Sequence, residues 1–270
     1  MGIVYVGIGY TAGISRLSWD GLSPAPRAVG LDNYATLLGD PTLWRALRNV
    51  AIFAVLTVGI QMVLGFIIAQ LMVMAGRWTG IFKVMVFLPV VLAPAAIATT
   101  ARQLLAAGGD LNVLLRDIGL GALATPWLAD PGTALYAIVA INVFQWTGFS
   151  ALLYQAALTQ IDQNTLEAAQ LDGAGTVRTI TSVVLPQLRG THATLIITGV
   201  IGAIKTFDVV YLTTGGGPGG VTEFVTTYLY RLTVNQFQVG LGAALTVLML
   251  ALTLALTLVQ MRAYRFGEQR

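Results

Sequence analysis

Two charged residues interrupt an otherwise apolar run: Lys205 and Asp208 fall within the stretch from Thr191 to Thr213. Charge in such surroundings is costly, and it marks either a polar patch beside a transport path or an internal ion pair that holds a helix in its bundle. Three positions apart, the two are expected on one helical face. A second group, Asn142, Gln145 and Trp146, puts two amides and an indole inside the run from Ala134 to Ala157. It could hydrogen-bond hydroxyls and stack on a sugar face, or its amides could bridge helices in lipid. His192 is the only histidine, and its place near the start of an apolar run suits an interfacial polar residue better than a proton relay. Tyr228, Tyr230 and Trp127 are read as belt or loop aromatics.

Covalent chemistry finds little support. With no cysteine and one histidine, a zinc cage, a disulfide framework, a cysteine nucleophile and a Ser-His-Asp triad all lose support. Catalytic residues and metal ligands are therefore not expected. The nearest approach to a phosphate-binding loop is GVIGAIKT, Gly199 to Thr206, but Ile204 stands where GxxxxGK[ST] requires glycine, and the segment lies inside an apolar run. Gly7, Gly9 and Ala12 mimic a dinucleotide fingerprint without the strand, turn and helix that it needs. No cofactor site is expected in this chain.

The elements that would position these residues follow from composition. Of 270 residues, 56% are hydrophobic and 10% charged, against about 25% charged in a soluble domain; the mean hydropathy is +0.76. A soluble surface cannot be built from that supply, so the lipid bilayer is the expected solvent. The net charge of +3 is scattered at the ends of apolar runs, which argues for membrane topology and against nucleic acid.

Six runs can cross as helices: Gly2 to Leu17, Ala46 to Met74, Ile81 to Leu105, Ala134 to Ala157, Thr191 to Thr213 and Val239 to Met261. They form one domain over 1–270. The first is short, since a span needs about 20 residues, and is expected to lack its beginning; no basic residue precedes Arg16 to make it a leader. An even count puts both termini on one side. That side carries seven cations and four acids, the other seven of each, which places the termini in the cytoplasm. Pro89 and Pro94 should kink the third run. Gly9 and Gly13 could admit a close helix, and GGGPGG at Gly215 to Gly220 should end the fifth run sharply.

Between the fourth and fifth runs lies the loop from Asp162 to Arg189. Leu166, Ala169, Gly173, Val177, Ile180 and Val184 recur at steps of three and four, which puts them on one helical face. Gln163, Glu167, Gln170, Asp172 and Arg178 face away. Gly173 and Gly175 offer a hinge between two short helices, and the whole could form a docking surface. Alternatively, Asn164 with Glu167 three residues on could simply cap a helix start.

The run Glu167, Ala168, Ala169, with Gly173 after a gap of three and then Val183, Leu185 and Pro186, resembles the EAA loop in permease subunits of binding-protein-dependent ABC importers. LDGAG at Leu171 to Gly175 fits the same pattern, and Val183 replaces a more usual Ile. The resemblance extends to GLDNY at Gly30, WRALRN at Trp44 and FDVVYLTTGGGP at Phe207, the pattern of the branch that carries sugars or glycerol 3-phosphate. It implies an all-α integral membrane protein, a six-transmembrane-helix bundle with a cytoplasmic coupling helix. It further implies that Glu167, Ala168, Ala169, Asp172, Gly173, Ala174, Leu185 and Pro186 meet a cytoplasmic ATPase. Two copies of that ATPase would bind ATP and Mg, a second permease subunit would complete a heterodimer, and an extracytoplasmic substrate-binding protein would deliver cargo. The expected location is the cytoplasmic (inner) membrane of a bacterium or archaeon, crossed several times. A polyol phosphate would call for a basic cluster in the path, where only Lys205 is available, so a neutral sugar is the better expectation.

Overall fold

The computed structural model describes residues 2–268, which are mainly helical. Helix α1, Gly2–Ile14, leads into a two-stranded antiparallel hairpin, β1 Leu17–Ser18 with β2 Arg27–Ala28, and then α2, Asp32–Gly39. Helix α3, Pro41–Met74, has 34 residues and is about 51 Å long at about 1.5 Å per residue. The Asp40 carboxylate accepts from the Thr42 N–H at 2.7 Å and Pro41 opens the first turn, so sequence chemistry fixes where the helix begins. One face buries Ala46, Val50, Phe53, Thr57, Gln61 and Gly65, while Val55, Val63, Ile67 and Leu71 remain exposed. An apolar outer face is what lipid requires.

The third apolar run divides into α4, Thr79–Val91, and α5, Pro94–Leu104, which meet at 88°. The expected single span over 81–105 is thus a sharply broken pair. Proline disfavours helical geometry in the residue before it, and Leu92 and Ala93 are extended. Helix α6, Asp110–Asp117, precedes α7, Ala134–Leu158. Among the described residues, α3, α7 and α14 (Val239–Glu268) are long and apolar enough to cross a membrane, and α4 with α5 can supply a further crossing.

The fifth run is also broken. Helix α11, Arg189–Lys205, stops at Thr206 and Phe207, and α12, Asp208–Thr213, resumes after them. The Thr206 carbonyl accepts from the Thr226 hydroxyl. The glycine run that follows adopts positive φ at Gly215 (61°) and Gly216 (91°), where a side chain would be strained, and the chain reverses into α13, Val225–Tyr230.

Helices α3 and α7 run parallel: Gln61 bonds to Asn142, Gly65 abuts Ser150 and Phe66 meets Tyr154 edge-on. Small residues permit this closeness. A Cβ on Gly65 would lie 2.7 Å from the Ser150 Cβ, and one on Gly148 would lie 2.0 Å from the Val86 carbonyl oxygen of α4. Gly9 and Gly13, by contrast, have nothing among the described residues near the position of a Cβ, so the glycine face of α1 is not the face that meets a described neighbour.

At the α3 start, Asn49 donates to the carbonyls of Val221 (2.9 Å) and Glu223 (3.0 Å), and Arg231 pairs with Glu223 at 3.3 Å. Tyr228 donates to Asp40 and is 4% exposed. It is therefore a buried strut, not a belt aromatic. Burial raises the pKa of Asp40, but the hydrogen bonds from Tyr228 and Thr42 outweigh it and hold the carboxyl below its usual range.

Candidate functional site

A cavity of about 390 Å³ opens where α3, α7 and α11 meet the starts of α5 and α12. Asn142, Gln145, Trp146, Lys205 and Asp208, which sequence reasoning drew from two separate runs, all line it. Their individual environments differ. Gln61 of α3 donates to Asn142 Oδ1 at 3.0 Å and to its carbonyl at 3.3 Å. Gln145 is 2% exposed and donates to the Leu92 carbonyl at 3.4 Å. That carbonyl sits at the α4–α5 break, so a neighbouring helix serves a backbone group that the break frees. The amides act as bridges between helices while forming wall. Trp146, at 38% exposure, presents its ring to the open space beside Phe149 and Phe207.

Lys205 and Asp208 do not share a helical face. The non-helical pair Thr206–Phe207 ends α11 at Lys205 and starts α12 at Asp208. No ion pair joins them: among the described residues the one within 4.0 Å is Arg231 with Glu223. Both expectations, a common face and an internal pair, assumed a continuous helix, and the helix is interrupted. The two charges are exposed and line one cavity. Gln61 was missed from sequence, although an amide in the middle of the most apolar run was the available signal.

The loop after α7 forms α8, Gln163–Leu171, α9, Thr176–Thr179, a π turn over Ile180–Val184, and α10, Leu185–Gln187. Asp162 is the N-cap, accepting from the Asn164 N–H at 3.0 Å; the capping box expected from Asn164 and Glu167 is not formed. The helix closes with the Gly173 N–H on the Gln170 carbonyl and the Ala174 N–H on the Ala169 carbonyl, both 3.0 Å. This Schellman arrangement requires left-handed backbone at Gly173, whose φ is +76°.

The bend resets the helical phase. Leu166 packs on the cluster of Ala69, Tyr154, Val184, Leu188 and Leu195, and Ala169, Ala174 and Ile180 are half-buried, as are Leu185 and Pro186. Gly173 and Val177, expected on the same inner face, are exposed instead, because the stripe cannot run through a left-handed residue. Outward lie Glu167, Ala168, Leu171 (88% exposed), Asp172 and Val177 (76%). Two large apolar side chains beside carboxylates on a loop make a surface suited to a protein partner. His192 stacks edge-on against Tyr154, with centroids 5.5 Å apart, and belongs to the packing under this loop.

Residues 34–270 match the family described as binding-protein-dependent transport system inner membrane component. The probable ABC transporter permease protein YurN of Bacillus subtilis is 32% identical over 269 residues, covering 98% of this chain and 92% of that protein. The lactose transport system permease protein LacF of Rhizobium radiobacter is 32% identical over 244 residues, 89% of this chain and 82% of that one. In fold, a chain from the crystal structure of a bacterial ABC transporter involved in the import of the acidic polysaccharide alginate superposes with a TM-score of 0.81 at 21% identity, covering 95% of this chain and 88% of that chain. The chain therefore belongs to the binding-protein-dependent transport system inner membrane components, the multi-pass permease subunits of ABC importers.

Proposed function

We propose that this permease carries a neutral sugar or oligosaccharide through the cavity between α3, α7 and α11. The observation that bears most weight is the lining: aromatic faces at Trp146, Phe149 and Phe207, amides at Gln61 and Asn142, and one cation balanced by one anion, Lys205 and Asp208. Such a wall offers stacking and hydroxyl partners without a net charge. A polyol phosphate would call for a cluster of cations, and Lys205 is the single Lys or Arg of this wall. The relative named for lactose transport points the same way.

The chain works with a second permease subunit as a heterodimer, with two copies of a cytoplasmic ATPase that bind ATP and Mg, and with an extracytoplasmic binding protein. Glu167, Ala168, Asp172 and Gly173, presented by α8 and its bend, meet the ATPase, and ATPase closure rocks the two permeases between inward-open and outward-open states. The termini lie in the cytoplasm of a bacterial or archaeal cell. Gentle detergent extraction of the tagged chain, with copurifying proteins identified by mass spectrometry, tests this assembly. A P-loop ATPase and a second permease are expected; recovery of the chain alone would overturn it and favour a self-sufficient carrier.

A further inference from the structure

A second concavity lies at the far end of the bundle from α8. Because α3 and α7 run parallel, the segment before α3 and the loop after α7 occupy opposite ends. There the β1–β2 hairpin and the turn before α14 enclose a cleft of about 450 Å³. Its walls are fixed. The Gly240 N–H donates to the Trp19 carbonyl at 3.0 Å, and a Cβ on Gly240 would lie 1.9 Å from the Leu17 carbonyl oxygen, so the hairpin is pressed against the start of α14. The Trp19 indole N–H donates to the Ser23 carbonyl at 2.9 Å, which sets the ring. The Asp20 carboxylate accepts from the Ser23 N–H and hydroxyl, both 2.7 Å, and from the Leu22 N–H at 2.9 Å. Those bonds hold its pKa down at about 2.

Three features of the cleft serve no evident purpose in folding. Phe237 has φ of +54°, the one non-glycine positive φ among the described residues, and its ring is 56% exposed. Left-handed backbone at a bulky residue is strained, and burial does not offset the strain here. Arg27 and Gln238 line the cleft, and among the described residues neither side chain makes a hydrogen bond or ion pair. Two aromatic faces with a carboxylate, a guanidinium and an amide around one concavity are the groups that grip a pyranose: rings against its C–H faces, planar polar groups against neighbouring hydroxyls. Asp20 and Arg27 cancel in charge, which disfavours an anionic headgroup.

From this geometry we infer that the cleft between the β1–β2 hairpin and Phe237–Gln238 is a second saccharide site, which holds a sugar unit of the cargo outside the translocation cavity. The identity of the ligand as cargo rests on the sugar-importer reading. The test uses the whole complex in nanodiscs of glycan-free lipid, without its binding protein, presented to an array of short malto-, cello-, xylo- and galacto-oligosaccharides. Retention of the series that the complex imports is expected. It should weaken about tenfold in R27A and Q238A, exposed positions whose loss spares the fold as judged by copurification of the partner subunits, and persist in W146A. No retention by the wild type, retention indifferent to R27A and Q238A, or retention only of a series that is not imported would overturn the site. The importer reading stands or falls separately, on sugar uptake and the copurifying ATPase.

Discussion

Trp146 and Gln145 are adjacent in sequence and line one cavity, yet their side chains have different work. The indole is 38% exposed; the amide is 2% exposed and bonded to Leu92. Trp146→Ala should therefore reduce sugar uptake by about tenfold, the loss of one stacking face worth ~1.4 kcal/mol, with melting temperature and assembly unchanged. Gln145→Ala removes the partner of a carbonyl at a helix break, which costs about 1–3 kcal/mol. Its signature should be a lower melting temperature and lower yield of assembled complex. If Trp146→Ala melts early or Gln145→Ala melts as the wild type, the two roles are wrongly divided. The residues themselves were legible: an amide or an indole in an apolar run stands out. Their division of labour was not, because it depends on a carbonyl fifty-three positions away in the chain.

At the scale of elements, breaks matter more than spans. Pro94 announced the interruption of the third run, whereas α4 continues through Pro89 to Val91, and the sharpness of the break follows from two consecutive extended residues. Nothing comparable announced the break at Thr206–Phe207, since neither residue bars a helix; tertiary contacts such as the Thr226 hydroxyl on the Thr206 carbonyl stabilise it. The bend at Gly173 lies between these cases. Glycine at that point was readable as a hinge, but the left-handed backbone that turns Val177 outward is not visible in a periodicity. Gly173→Ala should cost about 1–2 kcal/mol at that φ, with no clash, as nothing lies within 4 Å of the added carbon. The strain falls on the bend that presents Leu171 and Glu167. The expected outcome is an inserted, correctly assembled permease whose partner ATPase responds weakly to cargo. A full response, measured as cargo-stimulated ATP hydrolysis, would remove α8 from the coupling path.

The whole molecule has an internal direction that composition alone left nearly undecided, since the six expected spans would put seven cations on each side. Geometry ties the ends together more firmly. The parallel pairing of α3 with α7 places the hairpin, the α3 N-cap and the glycine-rich reversal at one end, and the loop from Asp162 to Arg189 at the other. Assigning any one residue to a side thus assigns the rest. Because the chain has no cysteine, a single introduced thiol can report its side without background. Ser23, in the hairpin turn, and Gln170, on the outer face of α8, are both exposed. With termini in the cytoplasm, Ser23→Cys should react with a membrane-impermeant maleimide in intact spheroplasts, and Gln170→Cys only after permeabilisation. The reverse pattern would invert the bundle and put the bent loop on the side without ATP, which would end the coupling proposal together with the topology. Labelling of both in intact spheroplasts would be incompatible with α3 and α7 running parallel across the membrane.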